Sequence, residues 1–397
     1  MPRYVMASRR AGKFSESEKE ASIQAYESFS SEMVQAEPDV TVVKHAAPIR
    51  ENAKRISVFE ASVEKFHEMK ERVPDDVIIE PEYIYHPVTV PPLGLNKLDG
   101  VTSTTDVSVF GNDKSITFAI RGGGAPLAHA EVILNLRNGI TSDQVKGMTG
   151  ADGRVTLFFS SLFTPTVALA IPYCEYWTTV KFSPPATTTI TCPKLPNGRQ
   201  DWRHKVTGVP RGFDRSLGDG IHVGVIDTGC GPHPNLAHVR DAGSVIDGQL
   251  SAAPGAGEDV DRHGSHVCGI IGARPGEETE FGGISPGCTL TSIRVFRDGS
   301  GATNADIATA IDVLSMQHQV DIINMSLGGP NTSQIISDSI VDAVERGTLC
   351  IAAAANSGGA VEFPARHEAC LAISALGLLG EAPEGTLSAL RVPDEQS

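Results

Sequence analysis

Gly220-Ile221-His222-Val223-Gly224-Val225-Ile226-Asp227-Thr228-Gly229 is a short apolar run that ends in an acid followed by glycine. A run this short predicts a buried strand, of the kind found in the parallel sheets of α/β proteins. The acid then stands at the strand's carboxyl end, where open α/β sheets build their sites. Read alone, Asp-Thr-Gly after a strand is equally an ordinary turn.

Three more blocks follow downstream. Arg262-His263-Gly264-Ser265-His266-Val267-Cys268-Gly269 places a histidine 36 positions after the acid (263 − 227). Then come Asn324-Met325-Ser326-Leu327-Gly328-Gly329 and Ala353-Ala354-Ala355-Asn356-Ser357-Gly358. Over about residues 200–379, the four blocks in this order resemble the subtilisin family of serine proteases. The resemblance implies a serine endopeptidase in which Asp227 matches the triad acid, His263 the general base and Asn356 the side-chain oxyanion donor. That chemistry explains the residue types. Imidazole accepts a hydroxyl proton near neutral pH. The acid fixes its tautomer and stabilises the imidazolium. The amide donates to the tetrahedral oxyanion. His266, the block's second histidine, reads as a structural helix residue.

The resemblance also implies a peptide or protein substrate held by strand addition. Ser326, Leu327, Gly328 and Gly329 resemble the family's substrate-pairing strand, and the Asp298-Gly299-Ser300-Gly301 run, of which Gly299, Ser300 and Gly301 are the candidates, resembles the opposite edge of the cleft. The family's nucleophile block lies well beyond its Asn, whereas only 41 positions remain here after Asn356 (397 − 356). The nucleophilic serine is therefore expected to be absent from this chain, the domain incomplete and the chain itself inactive. Gly385-Thr386-Leu387-Ser388-Ala389 is not accepted as that block, because Ser388 stands one place late and only 32 positions from Asn356 (388 − 356).

Two positions depart from the family pattern. Ala355 precedes the Asn where glycine is common, which would narrow the primary pocket. Cys268 replaces a common small residue behind the base; an inert buried thiol is the simpler reading, a thiol-sensitive enzyme the sharper one. No metal ligand is assigned and no cofactor is expected beyond the calcium that relatives often bind after the His helix. Here that loop, Pro275-Gly276-Glu277-Glu278-Thr279-Glu280, lacks the familiar pattern and reads as solvated charge.

The rest of the chain reads as two further domains, so the expected fold is multidomain. Residues 1–92 give the order β-α-β-β-α-β, a ferredoxin-like α+β pattern. Ser15 or Ser17 caps the first helix, with Ala21, Ala25, Phe29 and Met33 as its apolar stripe; Phe59, Val63, Phe66 and Val73 stripe the second. Placed upstream of a subtilisin-like segment, this domain resembles the family's inhibitory propeptide, an intramolecular partner whose tail, residues 80–90, would enter the active-site cleft. Residues 93–198 carry alternating strands at 115–120, 131–136, 155–158, 166–171 and 176–182, with an Asp152-Gly153 turn. They read as an all-β sandwich resembling immunoglobulin-like or carboxypeptidase-regulatory-like modules. Asp143 and Asp152 read as turn acids. Residues 199–397 are then the incomplete subtilisin-like α/β domain with a parallel sheet. The other functional reading is a non-catalytic peptide-binding or protease-regulatory protein that works through the first two domains.

Composition narrows the partners. The 397 residues are 40% hydrophobic and 20% charged, as in a chain that folds. A net charge of −15 without a basic stripe argues against nucleic acid. No apolar run reaches the length of a membrane span. The first residues lack the apolar core of a secretory signal, which favours the cytoplasm, and the seven scattered cysteines then read as reduced, although Cys174 and Cys192 would be placed to pair across a sheet.

Overall fold

The computed structural model describes residues 1–9, 15–36, 39–88, 112–139, 141–172, 175–196, 200–210, 214–275, 282–356, 359–378 and 380–391. Cys174 and residues 276–280 of the acidic loop lie outside them, as do residues 89 and 90 of the expected tail. The chain divides into two compact units, one of Met1–Thr89 with Gly198–Ser374, the other of Val90–Asn197 with Ala375–Ser397. The first unit thus unites the two segments that flank the sandwich in sequence. Residues 375–397, expected in the peptidase segment, belong instead to the second unit.

The amino-terminal segment runs β1 (Arg3–Ser8), α1 (Glu16–Ala36), β2 (Thr41–His45), β3 (Ile56–Glu60), α2 (Val63–Arg72), β4 (Val77–Pro81) and β5 (Ile84–Pro87). Strands β2-β3-β1-β4 form an antiparallel sheet in that order. Ser15 caps α1: its hydroxyl accepts from the Glu18 N–H, and the Glu18 carboxylate accepts from the Ser15 N–H. Two expectations are corrected. The buried stripe of α1 is Ser22, Tyr26, Phe29 and Met33, with Ala21 exposed. Phe59 is not helical but pairs across β3 with Tyr4 and Val42, because Ser62 caps α2 by accepting from the Lys65 N–H and the helix begins only at Val63.

Strand β1 is buried on both faces, and its period-2 alternation says against what. Tyr4 and Met6 join Phe29, Met33, Phe66 and Met69 under the two helices. Val5 and Ala7, with Val58 and Ile78, belong instead to the core that contains Ile226, Ala305, Ala308 and Ile340. The second face of this sheet is therefore completed by residues 198–374 of the same unit.

The second unit contains β6 (Lys114–Gly122), β7 (Ala125–Pro126), β8 (Glu131–Asn138), β9 (Thr141–Met148), β10 (Arg154–Phe159), β11 (Thr164–Ile171), β12 (Thr179–Phe182) and β13 (Thr187–Cys192). They form two four-stranded sheets, β10-β6-β13 with β7 on β6, and β12-β11-β8-β9. One cluster, including Phe118, Ile120, Leu134, Leu136, Phe159 and Ile190, draws on both. At the β10 entry Gly153 has φ +71° and its Cβ would lie 2.7 Å from the Ile120 carbonyl, so this turn requires glycine. Thr386 bridges Thr179, and Leu387 packs on Val167, Leu169 and Val180, which is why the last residues fall with this unit. Ser388 stands in the helical turn Leu387–Arg391.

The remainder of the first unit supplies α3 (Trp202–Val206), β14 (His222–Asp227), β15 (Arg240–Ile246), β16 (Gln249–Ser251), α4 (His263–Gly272), β17 (Thr289–Arg294), β18 (Ala302–Thr303), α5 (Asn304–Asp312), β19 (Ile322–Met325), β20 (Leu327–Gly328), α6 (Gln334–Glu345), β21 (Leu349–Ala353) and β22 (Cys370–Ile373). Seven strands form one sheet, β16-β15-β17-β14-β19-β21-β22, parallel except for the β15–β16 pair. Central β14 is covered on both faces: Val223 and Val225 pack with Cys268 of α4, Ile226 with the core under α5 and α6. Gly224 admits Leu314, which would lie 2.7 Å from a Cβ there. Strands β14, β19 and β21 are neighbours, so the loops leaving their carboxyl ends lie side by side. Among the described residues no helix is long and apolar enough to cross a membrane.

Candidate active site

Asp227 ends β14 and is fully buried; His263 opens α4. The His263 Nδ1 lies 2.7 Å from Asp227 Oδ1, which also accepts the Thr228 N–H at 2.7 Å. Asp227 Oδ2 is buried without a hydrogen-bond partner among the described residues. The Val88 main chain lies close enough to the imidazole to favour its protonated form. Burial pulls the His263 pKa down, but the hydrogen bond to Asp227, the Asp227 charge and Val88 together hold it above the ordinary imidazole value.

A residue the sequence reading passed over holds this pair in place. Arg262 precedes α4 in the left-handed region (φ +76°) and provides no side-chain cap. Asp259 does that work from further back. Its Oδ2 accepts from the Ser265 N–H at 2.8 Å and the Ser265 hydroxyl at 2.5 Å. Its Oδ1 accepts from the Thr228 hydroxyl (2.8 Å) and the N–H groups of Asp261 (2.9 Å) and Arg262 (2.8 Å). The Thr228 hydroxyl in turn accepts the Gly264 N–H at 2.8 Å. One carboxylate thus joins the loop after Asp227 to the first turn of the His263 helix. The only sequence signal was an acid four positions before the histidine.

Burial raises the Asp259 pKa, and the donors from Ser265, Asp261 and Thr228 outweigh it, leaving the group below its ordinary 3.8. A depressed pKa contributes stability above 3.8 that is lost as pH falls through the folded value. Asp259→Ala is expected to destabilise the protein by about 2–4 kcal/mol by orphaning these donors. Urea unfolding at pH 7 measures it, and the difference between variant and parent should shrink below pH 3.8.

A strand of the chain itself lies along the expected Leu327–Gly328 edge and, on its other side, along Ala302–Thr303 rather than the expected Gly299–Gly301. Strand β5 lies between β18 and β20, antiparallel to both, pairing Tyr85 with Ala302, Ile84 with Thr303, His86 with Gly328 and Pro87 with Leu327. The Val88 N–H continues the ladder to the Ser326 carbonyl at 2.8 Å. Gly301 and Gly329 fit this close approach: a Cβ on Gly301 would lie 2.5 Å from the Tyr85 carbonyl, and one on Gly329 2.8 Å from the Tyr85 ring. Tyr85 is fully buried, its hydroxyl donating to the Asn331 carbonyl at 3.1 Å. Gly299 (φ +68°) and Ser300, which donates to the Arg297 carbonyl, form the exposed turn leading to Gly301.

Glu80 anchors the segment just before β5. Its Oε1 accepts from Asn304 Nδ2 at 2.7 Å and from the Ser333 hydroxyl, and its Oε2 from the Gln334 N–H at 2.9 Å. These are the starts of α5 and α6, where a carboxylate is favoured by unpaired N–H groups and the helix dipole. Buried Lys54 donates to the Ile335 carbonyl and to Ser339, and Asp247 joins Arg3 (2.5 Å) to Arg297 (2.8 Å).

Asn356 lies in the loop leaving β21 with its side chain exposed. Ala355 before it has φ +96°, a conformation that suits glycine and strains a residue with a Cβ. Ala355→Gly is expected to stabilise the protein by about 1 kcal/mol, the relieved strain exceeding the added chain entropy. Thermal unfolding should show a midpoint raised by roughly 2–4 °C. Among the described residues no group of three or more His, Cys, Asp or Glu side chains could hold a metal ion.

Residues 218–390 match the Subtilase family. Subtilisin Savinase of Lederbergia lenta is 31% identical over 176 residues, covering 44% of this chain and 62% of that protein. Subtilisin BL of the same organism is 32% identical over 177 residues, with the same coverage. Halolysin-like extracellular serine protease Nep of Natrialba magadii is 34% identical over 196 residues, covering 47% of this chain and 36% of that protein. The chain thus spans less than two thirds of the length of these relatives. The parallel sheet and the Asp227–His263 pair both lie within residues 218–390, the stretch that matches the Subtilase family.

Proposed function

We propose that this protein is a serine endopeptidase of the subtilisin type, with residues 1–89 as a ferredoxin-like inhibitory propeptide domain whose tail fills the substrate cleft. The observation that carries the reading is β5: an extended segment pairs on one side with Leu327 and Gly328 of the expected edge and on the other with Ala302 and Thr303, just past Gly299–Gly301, and it ends beside His263. The strand order β2-β3-β1-β4 and the Glu80 anchor support the same reading of the amino-terminal segment.

None of the serines described above is proposed as the nucleophile, so the mechanism is that of the serine-bearing enzyme. In the serine-bearing enzyme, His263 removes the serine hydroxyl proton while Asp227 accepts its Nδ1–H. The serine oxygen attacks the peptide carbonyl, and Asn356 donates to the resulting oxyanion, a contribution of about 2.7–4 kcal/mol. The imidazolium then protonates the departing amine, and water releases the acyl group by the same route reversed. The second unit is proposed to be an immunoglobulin-like or carboxypeptidase-regulatory-like spacer. A purely binding role for the cleft would need no imidazole hydrogen-bonded to a buried carboxylate.

The test is a serine-directed fluorophosphonate probe. The serine-bearing form should be labelled and its peptide hydrolysis stopped; hydrolysis that continues with the probe in excess would exclude the serine mechanism.

A further inference from the structure

Three residues past Asp227, Cys230 lies half-buried at the wall of a cavity of about 560 Å³, which Pro232, His233, Arg240, Asp241 and Ser292 also line. Cys268 lies on α4, five residues past His263, and is fully buried. Cys268 belongs to an apolar cluster with Val223, Val225 and Leu290, and Cys230 packs against that cluster. Both are free cysteines. The proposed peptidase chemistry uses neither of them.

We propose that Cys230 and Cys268 are a redox-active thiol pair, with Cys230 the entry point for low-molecular-weight disulfides that reach it through the cavity. The pair is asymmetric in the way such chemistry needs. The thiolate is the attacking species, and it must be reachable. Cys230 meets the cavity, and the neighbouring Cys268 thiol draws its pKa below that of an ordinary thiol. Cys268 is held up by its Cys230 neighbour and by burial, so it is suited to resolve an adduct on its neighbour and not to start the reaction.

The exchange proceeds in two displacements. The Cys230 thiolate attacks one sulfur of the small disulfide, whose S–S bond breaks, and one small thiolate leaves. Cys268 then gives up its proton, and its sulfur attacks Cys230 Sγ and expels the second small thiolate. Two cysteine thiols are oxidised to one disulfide, one small disulfide is reduced to two thiols, and the two cysteine protons end on the leaving groups. The linked form ties the loop after Asp227 to the helix that carries His263.

The experiment treats the full 397-residue protein with oxidised glutathione, quenches, alkylates after denaturation, and maps peptides by mass spectrometry without reduction. The expected result is a peptide pair joined through Cys230 and Cys268. In Cys268→Ser, Cys230 should retain a glutathione adduct; in Cys230→Ser, Cys268 should remain a free thiol. Recovery of Cys230 and Cys268 as free thiols while Cys350 and Cys370 become linked would overturn the proposal. So would a Cys268 that takes up glutathione as fast in Cys230→Ser as in the parent. The parent measurement stands even if a variant does not fold.

Discussion

His263→Ala in the serine-bearing enzyme is expected to lower kcat by about 10⁶-fold, the loss found when the base is removed from a triad of this type. The group removed is the one imidazole that hydrogen-bonds to the buried Asp227 and lies close to the main chain in the cleft. Steady-state hydrolysis of an extended peptide measures it, with kcat falling far more than KM changes, since the base acts only in the chemical step. The pH profile gives an independent reading. A general base must be neutral, and the His263 pKa is raised, so activity in the parent should climb with pH through a value above 6.5. A loss of only a few-fold in kcat would mean that His263 is structural.

Tyr85→Ala is expected to release the tail from the cleft. Tyr85 is fully buried, packs near Phe363 at 6.2 Å between ring centres, and donates to Asn331. Truncating a fully buried aromatic costs about 3–5 kcal/mol, which is about a 10²- to 4 × 10³-fold rise in the population with an open cleft. Glu80 should keep the segment just upstream attached, because its anchors at the starts of α5 and α6 are untouched. Amide hydrogen exchange therefore separates the two: protection should collapse at residues 84–88 and persist at 77–80. Equal loss across both stretches would show that tail and domain separate as one body.

The parts of this molecule visible in its sequence are those where one residue type is chemically required. An acid at a strand's end and a histidine before Gly264 are rare enough together to be found by eye, and the structure places them 2.7 Å apart. Asp259 escaped because an acid in a polar loop looks like solvated charge; only the fold shows its five donors converging. Strand β13 was missed because its sequence, Thr-Thr-Thr-Ile-Thr-Cys, buries only Thr188, Ile190 and Cys192, and threonine masks the alternation. Strand β9 has no fully buried residue and is held by main-chain pairing with β8 and by half-buried Val145 against the sandwich core. The α1 stripe was misread because Tyr26 and Ser22 are polar residues buried by hydrogen bonds, Tyr26 to Ser57 and Ser22 to the Arg9 and Asp76 carbonyls. The place of residues 375–397 rests on one bridge and on Leu387, contacts that no local pattern announces.

That the amino-terminal segment fills a protease cleft is tested most directly by hydrolysis with and without it. Removing residues 1–89 from the folded, serine-bearing enzyme should raise the rate of peptide cleavage, and adding the separately made segment back at micromolar concentration should suppress it. Cleavage that neither rises on removal nor falls on addition would contradict the account.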